Sequence, residues 1–341
     1  MTKSLLFTHG YALLIGVGAD LPVTVKDATA LRDILIAPQR CAYPPEQVKL
    51  LTEGQADRRG ILGGLDWLID NVQRDDKATA IVYFSGHGGF APEYHLVPTG
   101  YDSKKMKKTA ISGAEFTQKL QAIQAQKLLI LLDCCYAAGM TTAKAPGFIP
   151  SSFPPELPAV LAQGSGKVFI ASSRRDEVSH IGSPYSVFTQ ALREGLAGYG
   201  TATRDGYAYI ADVALYVGRI VPVRTSGKQH PVLDMRSADN FALAHYAGGA
   251  KTPVPLADAQ TVLSPIDVID EDLIEKYRAI FRQHQRNLAA VEARMAVFID
   301  QAAVPLDLQR AKESILQKMA EVETQIQTMA QQQGWQTGGA S

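Results

Sequence analysis

Five largely apolar runs of five to seven residues constrain this chain most. They are 11–17 (YALLIGV), 47–51 (QVKLL), 79–84 (TAIVYF), 127–132 (KLLILL) and 167–171 (KVFIA). Runs this short and this continuously apolar suit strands buried on both faces of a parallel sheet. Between them the apolar spacing changes to steps of three and four. Ala28, Leu31, Ile34 and Leu35 mark a helix over 25–36, and the same spacing predicts helices over 58–73, 112–125, 185–197 and 208–220. A hairpin-like piece at 93–98 and a last strand at 241–244 complete the pattern. Strands alternating with amphipathic helices predict an α/β fold, a three-layer sandwich around a mostly parallel central sheet.

The pattern changes at 248–264, where Gly, Pro and Ala dominate, and this stretch reads as a linker between a first domain over 1–247 and a C-terminal helical region. Ser264, Pro265 and Asp267 form a helix start. Apolar residues then recur every three or four positions from Ile266 to Phe298, Pro305 interrupts, and a second seam runs from Leu308 to Met329. Two seams and a break predict an antiparallel helical hairpin over 265–333, with a disordered tail at 334–341. Such a hairpin either packs on the first domain or receives a regulatory protein partner.

Composition narrows the function classes. Lys+Arg and Asp+Glu stand at 34 each, so no global charge argues for nucleic acid. No apolar run is long enough to span a membrane, and the N-terminus lacks a signal-peptide pattern, so neither membrane nor export is expected. The three cysteines, Cys41, Cys134 and Cys135, have no framework spacing. That fits a reducing cytoplasm.

Two strands run into chemistry. The third continues as Ser85-Gly86-His87-Gly88-Gly89 and the fourth as Asp133-Cys134-Cys135-Tyr136. In a parallel sheet, functional groups gather at the carboxyl ends of the strands. If these two strands are neighbours, His87 and a cysteine converge: imidazole takes the thiol proton and the thiolate attacks a carbonyl. The flanking glycines admit a substrate backbone, and the backbone N–H groups of Gly88 and of the nucleophilic cysteine are oxyanion donors. A cysteine at a strand end is usually an inert core thiol, which is the reading for Cys134, and adjacent cysteines on an extended chain point to opposite sides. The same geometry disfavours a metal site from Cys134, Cys135 and His87, as it does a vicinal redox pair.

The segments YFSGHGG and LLILLDCCYAAG, whose His87 and Cys135 are 48 positions apart, resemble the histidine and cysteine motifs of the caspase/metacaspase superfamily. The Asp-x-Cys form is most similar to the metacaspase-like branch, including bacterial caspase homologues. The resemblance extends over roughly 10–246, through YALLIGVG with VKDATAL, YHLVPTGYD, KVFIASSRRDEVS, YSVFTQALREGL and GKQHPVL. It implies that Cys135 is the nucleophile, His87 the general base, and Asp133 the acidic floor of the pocket for the residue before the cut. Ser85 and Asp27 match positions lining that pocket. Two carboxylates in a narrow pocket favour a guanidinium, so cleavage after Arg, then Lys, is expected. Animal caspases cleave after Asp using arginines that are not apparent here.

The resemblance also raises calcium activation and self-cleavage. No acidic cluster names a calcium site, and no cofactor is expected to be required. Lys144, Arg174 and Arg175 are the candidate nick positions. The function expected is a cytoplasmic cysteine endopeptidase acting on proteins or peptides, a regulated effector in stress, cell death or antiviral defence. The alternative is a catalytically silent caspase-like scaffold acting through its C-terminal helices.

Overall fold

The computed structural model describes residues 6–134, 149–157, 160, 166–174, 177, 179–201, 204–235, 238–256, 286–292, 295 and 304–332. In chain order the elements are β1 (Gly10–Gly16), α1 (Pro22–Ile36), β2 (Val48–Thr52), α2 (Arg58–Val72), β3 (Thr79–Phe90), β4 (Tyr94–Val97), α3 (Met106–Thr109), β5 (Ile111–Ser112), α4 (Gly113–Ala122), β6 (Lys127–Cys134), β7 (Ile149–Pro150), β8 (Lys167–Ala171), α5 (Val187–Leu196), β9 (Tyr207–Tyr209), α6 (Ile210–Arg224), β10 (Val232–Asp234), β11 (Ala242–His245) and α7 (Leu306–Gln332). The chain forms two compact units, residues 1–259 and 260–341.

The main sheet has the order β10-β8-β6-β3-β1-β2. Along this path the strands are parallel except β10, which pairs antiparallel with β8; off it, β4 and β7 pair antiparallel with β3 and β5 with β4. The side-chain period of two sorts each apolar run between two cores. Leu13, Ile15, Val82, Phe84, Leu128, Ile130 and Leu132 pack with Ile61, Leu65 and Leu68 of α2 and Phe116 and Leu120 of α4. Ala12, Leu14, Ile81, Tyr83, Leu129 and Leu131 pack with Leu31 and Leu35 of α1, Phe188 and Leu192 of α5, and Val217 of α6. This is the three-layer α/β sandwich expected, and burial on both faces is why the strands read as unbroken apolar runs.

Local chemistry fixes the helix starts. Pro22 opens α1, Asp57 caps α2 by accepting from Gly60 N–H at 2.6 Å, and Ser112 caps α4 by accepting from Glu115 N–H at 3.1 Å. Gly16 ends β1 because α1 starts so close: a Cβ there would lie 2.3 Å from the Thr24 carbonyl oxygen.

Two local expectations are corrected. The helix predicted over 208–220 begins as a strand, since 207–209 pair antiparallel with β11, and the helix proper is 210–224. The third strand does not stop at Phe84 but runs through the glycine-rich segment to Phe90, because β4 and β7 flank it there. The edge strand β10 was not predicted.

In the second unit, α7 follows Pro305, and Lys312 on it pairs with Glu292 of the helical stretch 286–292 at 2.8 Å. Most of the first predicted helix and the tail 334–341 lie outside the described residues. Among the described residues no helix is long and apolar enough to cross a membrane.

Candidate active site

The site is built where β6 ends against β3, beside Gly86. Their register pairs Ser85 with Asp133 and Gly86 with Cys134. The next residues along the two strands are His87 and, in sequence, Cys135. Cys135 itself lies outside the described residues, as do Lys144 and Arg175.

Strand parity distributes the polar residues. Leu129 and Leu131 face the α1–α5 core, and Asp133 continues that row. Ile81 and Tyr83 face the same core, and Ser85 and His87 continue theirs. Cys134 takes the opposite parity and joins the α2–α4 core, 4% exposed, with its sulfur 3.6 Å from Tyr94 Oη. Burial pushes its thiol up to about 12, which leaves it protonated and unreactive at neutral pH. Gly88 is held in the same place by crowding. A Cβ on it would lie 2.3 Å from Tyr94 Oη and 3.0 Å from Cys134 Sγ, and its carbonyl accepts from Ser151 N–H at 3.0 Å.

Under the rim lies a buried polar network on two carboxylates. Asp27, from the second turn of α1, and Asp133 are both fully buried. Ser186, the N-cap of α5, joins them. Its N–H donates to Asp27 Oδ1 at 2.9 Å and its Oγ–H to Asp133 Oδ2 at 2.6 Å, while Oγ accepts from Thr189 N–H at 3.0 Å. Ser179 Oγ–H donates to Asp133 Oδ1 at 2.8 Å. Gln229 closes the network, donating from Nε2 to the Ser172 carbonyl at 2.8 Å and to Ser179 Oγ at 3.3 Å. Asp27 Oδ2 and Ser172 Oγ are buried with no hydrogen-bond partner among the described residues. Burial first, and then the Asp133 charge, push the Asp27 carboxyl up to about 8.

His87 is nearly buried, and its Nε2 sits 3.0 and 3.1 Å from the two carboxylate oxygens of Asp20. Asp20 lies in the turn between β1 and α1. Sequence reasoning missed it, as it missed Ser179 and Ser186.

The described part of the candidate set is therefore brought together: His87, Gly88, Asp133, Ser85 and Asp27 share one strand-end region. Arg174 is elsewhere in its bonding. Its carbonyl accepts from Ser152 Oγ–H at 2.8 Å and its guanidinium is 3.4 Å from Glu177. No group of three or more His, Cys, Asp or Glu placed to hold a metal ion occurs among the described residues.

The caspase-domain profile of the C14 peptidases matches residues 9–242, and the chain belongs to that family of cysteine peptidases. No curated protein matches the chain. Among solved structures, it is similar to the protein GSU0716 from Geobacter sulfurreducens. The two are 16% identical with a TM-score of 0.44, and the likeness covers 67% of this chain and 94% of that one.

Proposed function

We propose that this chain is a cysteine endopeptidase that cleaves protein or peptide substrates after basic residues, Arg before Lys. Cys135 is the nucleophile and His87 the base that takes its proton. The Gly88 and Cys135 backbone N–H groups stabilise the tetrahedral oxyanion. Asp133, Asp27 and Ser85 receive the side chain before the cut. The observation that carries the reading is the buried carboxylate pair bridged by Ser186 beneath the His87 strand end. Two buried carboxyl groups, one with an orphaned oxygen, favour a planar, multi-donor cation over any neutral or acidic side chain. Burial and the Asp133 charge push the Asp27 carboxyl up to about 8, so it is protonated at neutral pH before substrate binds. An incoming guanidinium favours its ionised form, so substrate binding releases that proton.

No cofactor is required in this scheme, and calcium is tested as an activator. Residues 265–333 receive a regulatory protein partner, and the peptidase acts in the cytoplasm as a triggered effector in stress, cell death or antiviral defence. Cutting at Lys144, Arg174 or Arg175 is a step of maturation to be checked by the termini of the purified protein.

The test is hydrolysis of fluorogenic peptides ending in Arg, Lys or Asp by wild type and Cys135→Ala, with calcium and with chelator. Arg turnover that exceeds Lys, vanishes for Asp and is lost in Cys135→Ala is expected. Asp turnover would overturn the pocket assignment, and activity surviving in Cys135→Ala would overturn the nucleophile.

A further inference from the structure

We infer that Asp20 is a positioning residue for His87, holding its ring through Nε2. The inference rests on the proposed role of His87 as the base of Cys135.

The turn that carries Asp20 is built to hold it. Val17 N–H donates to the Ser85 carbonyl at 3.0 Å, tying the end of β1 to β3 two residues before His87. Leu21 N–H then closes a tight turn on the Gly18 carbonyl at 2.9 Å, and Thr24 Oγ1 accepts from Gly18 N–H at 2.8 Å. Ala19 sits at φ 53°, a left-handed conformation that costs a residue with a Cβ and persists only where the surroundings impose it. Pro22 follows at the start of α1, so the chain on either side of Asp20 has little freedom. The result is a carboxylate whose two oxygens are both within 3.1 Å of one ring nitrogen. Its side chain is 43% exposed where that of His87 is 8% exposed. Asp20 therefore keeps its hydration on one side while touching a nearly buried ring on the other. Tyr101 senses the same charge: burial first, then Asp20, push its phenol up.

A carboxylate accepts but does not donate, so Nε2 of His87 carries the hydrogen and Nδ1 is the proton-accepting nitrogen. The thiol proton of Cys135 passes to Nδ1, leaving thiolate and an imidazolium whose charge Asp20 offsets. The thiolate forms the bond to the substrate carbonyl carbon, and as the C–N bond breaks, the Nδ1 proton leaves on the amine. Among the described residues, titratable side chains around this end of β3 include Tyr83, Asp27, Asp133, Cys134, Tyr94, His95 and Tyr101. Asp27 and Asp133 bond the α5 cap and Ser179, Cys134 and Tyr94 face each other, and His95 Nδ1 bonds the Glu93 carbonyl.

The experiment uses the full chain with histidine-selective NMR titration of His87, and with kcat and KM on an Arg-ending fluorogenic peptide, in wild type, Asp20→Asn and Asp20→Glu. In Asp20→Asn, His87 titrates at lower pH while the six other histidines keep their curves, which also shows that the variant is folded. Its kcat falls about tenfold or more with KM within about twofold, and Asp20→Glu recovers part of the loss. Superimposable His87 curves would overturn the inference, as would an unchanged kcat. A wild type that turns over no peptide, with His87 still shifted in Asp20→Asn, would be a failure of the peptidase reading and would uphold the Asp20–His87 coupling.

Discussion

Ser186 does more per atom than any other residue near the site. One side chain and one N–H cap α5, hold Asp27 and hold Asp133. Ser186→Ala removes the cap and one donor to a buried carboxylate. Thermal unfolding should show a loss of about 2–3 kcal/mol, the sum of a lost cap and a weakened buried hydrogen bond. The Asp27 carboxyl gives a pH signature with a definite sign. Its pKa is raised on folding, so its contribution to stability is complete below the unfolded value, near 4. That contribution is lost as pH rises to about 8 and is level beyond. Asp27→Asn removes a penalty that grows over that window. Melting temperatures measured from pH 4 to 9 should therefore show the variant gaining on wild type up to about pH 8, then holding a constant difference. The same proton predicts that KM for an Arg peptide falls over pH 6–8 in wild type and loses that slope in Asp27→Asn. A wild-type KM flat over this range would contradict proton release.

At this scale the sequence was legible where chemistry clusters and opaque where it is assembled from afar. His87 and Asp133 are readable because strand ends in parallel sheets collect function, and Cys134 because its parity sends it to the core. Asp20 is a lone acid in a turn, 67 positions from its partner. No period or motif marks it. Ser179 and Ser186 are likewise ordinary serines until α5 and β6 bring them onto one carboxylate.

Among the elements, α5 and α6 depend on each other through a buried acid. Glu194 of α5 bonds Arg224 at 2.8 Å and Tyr216 Oη at 2.8 Å, both on α6, with the Glu194 and Arg224 side chains 1% and 6% exposed. Removing one partner of a buried pair strands the other charge. Glu194→Ala should cost about 3–5 kcal/mol, seen as a melting point lower by roughly 10 °C. A change of under about 2 °C would mean water reaches Arg224. Because α5 presents Ser186 at its N-terminus, the same variant should raise KM for Arg peptides. The long, regular elements were readable from apolar spacing alone. Strands β9 and β10, three residues each, are too short to display a period of two, and tertiary pairing alone defines them.

For the whole molecule, every described residue of the candidate site belongs to the unit over 1–259. A chain ending at Ala259 should hydrolyse an Arg peptide within about threefold of the full chain. Loss of turnover with native-like circular dichroism would instead make the C-terminal helices part of the peptidase.

The most direct measurement of thiol catalysis with basic specificity is mass-spectrometric mapping of native protein treated with an Arg-directed, thiol-reactive peptide probe and with its Asp-directed counterpart. Modification by the Arg probe alone is expected, at Cys135, with Cys134 and Cys41 untouched because both thiols are buried and pushed up. Labelling at Cys134, or equal labelling by the two probes, would contradict it.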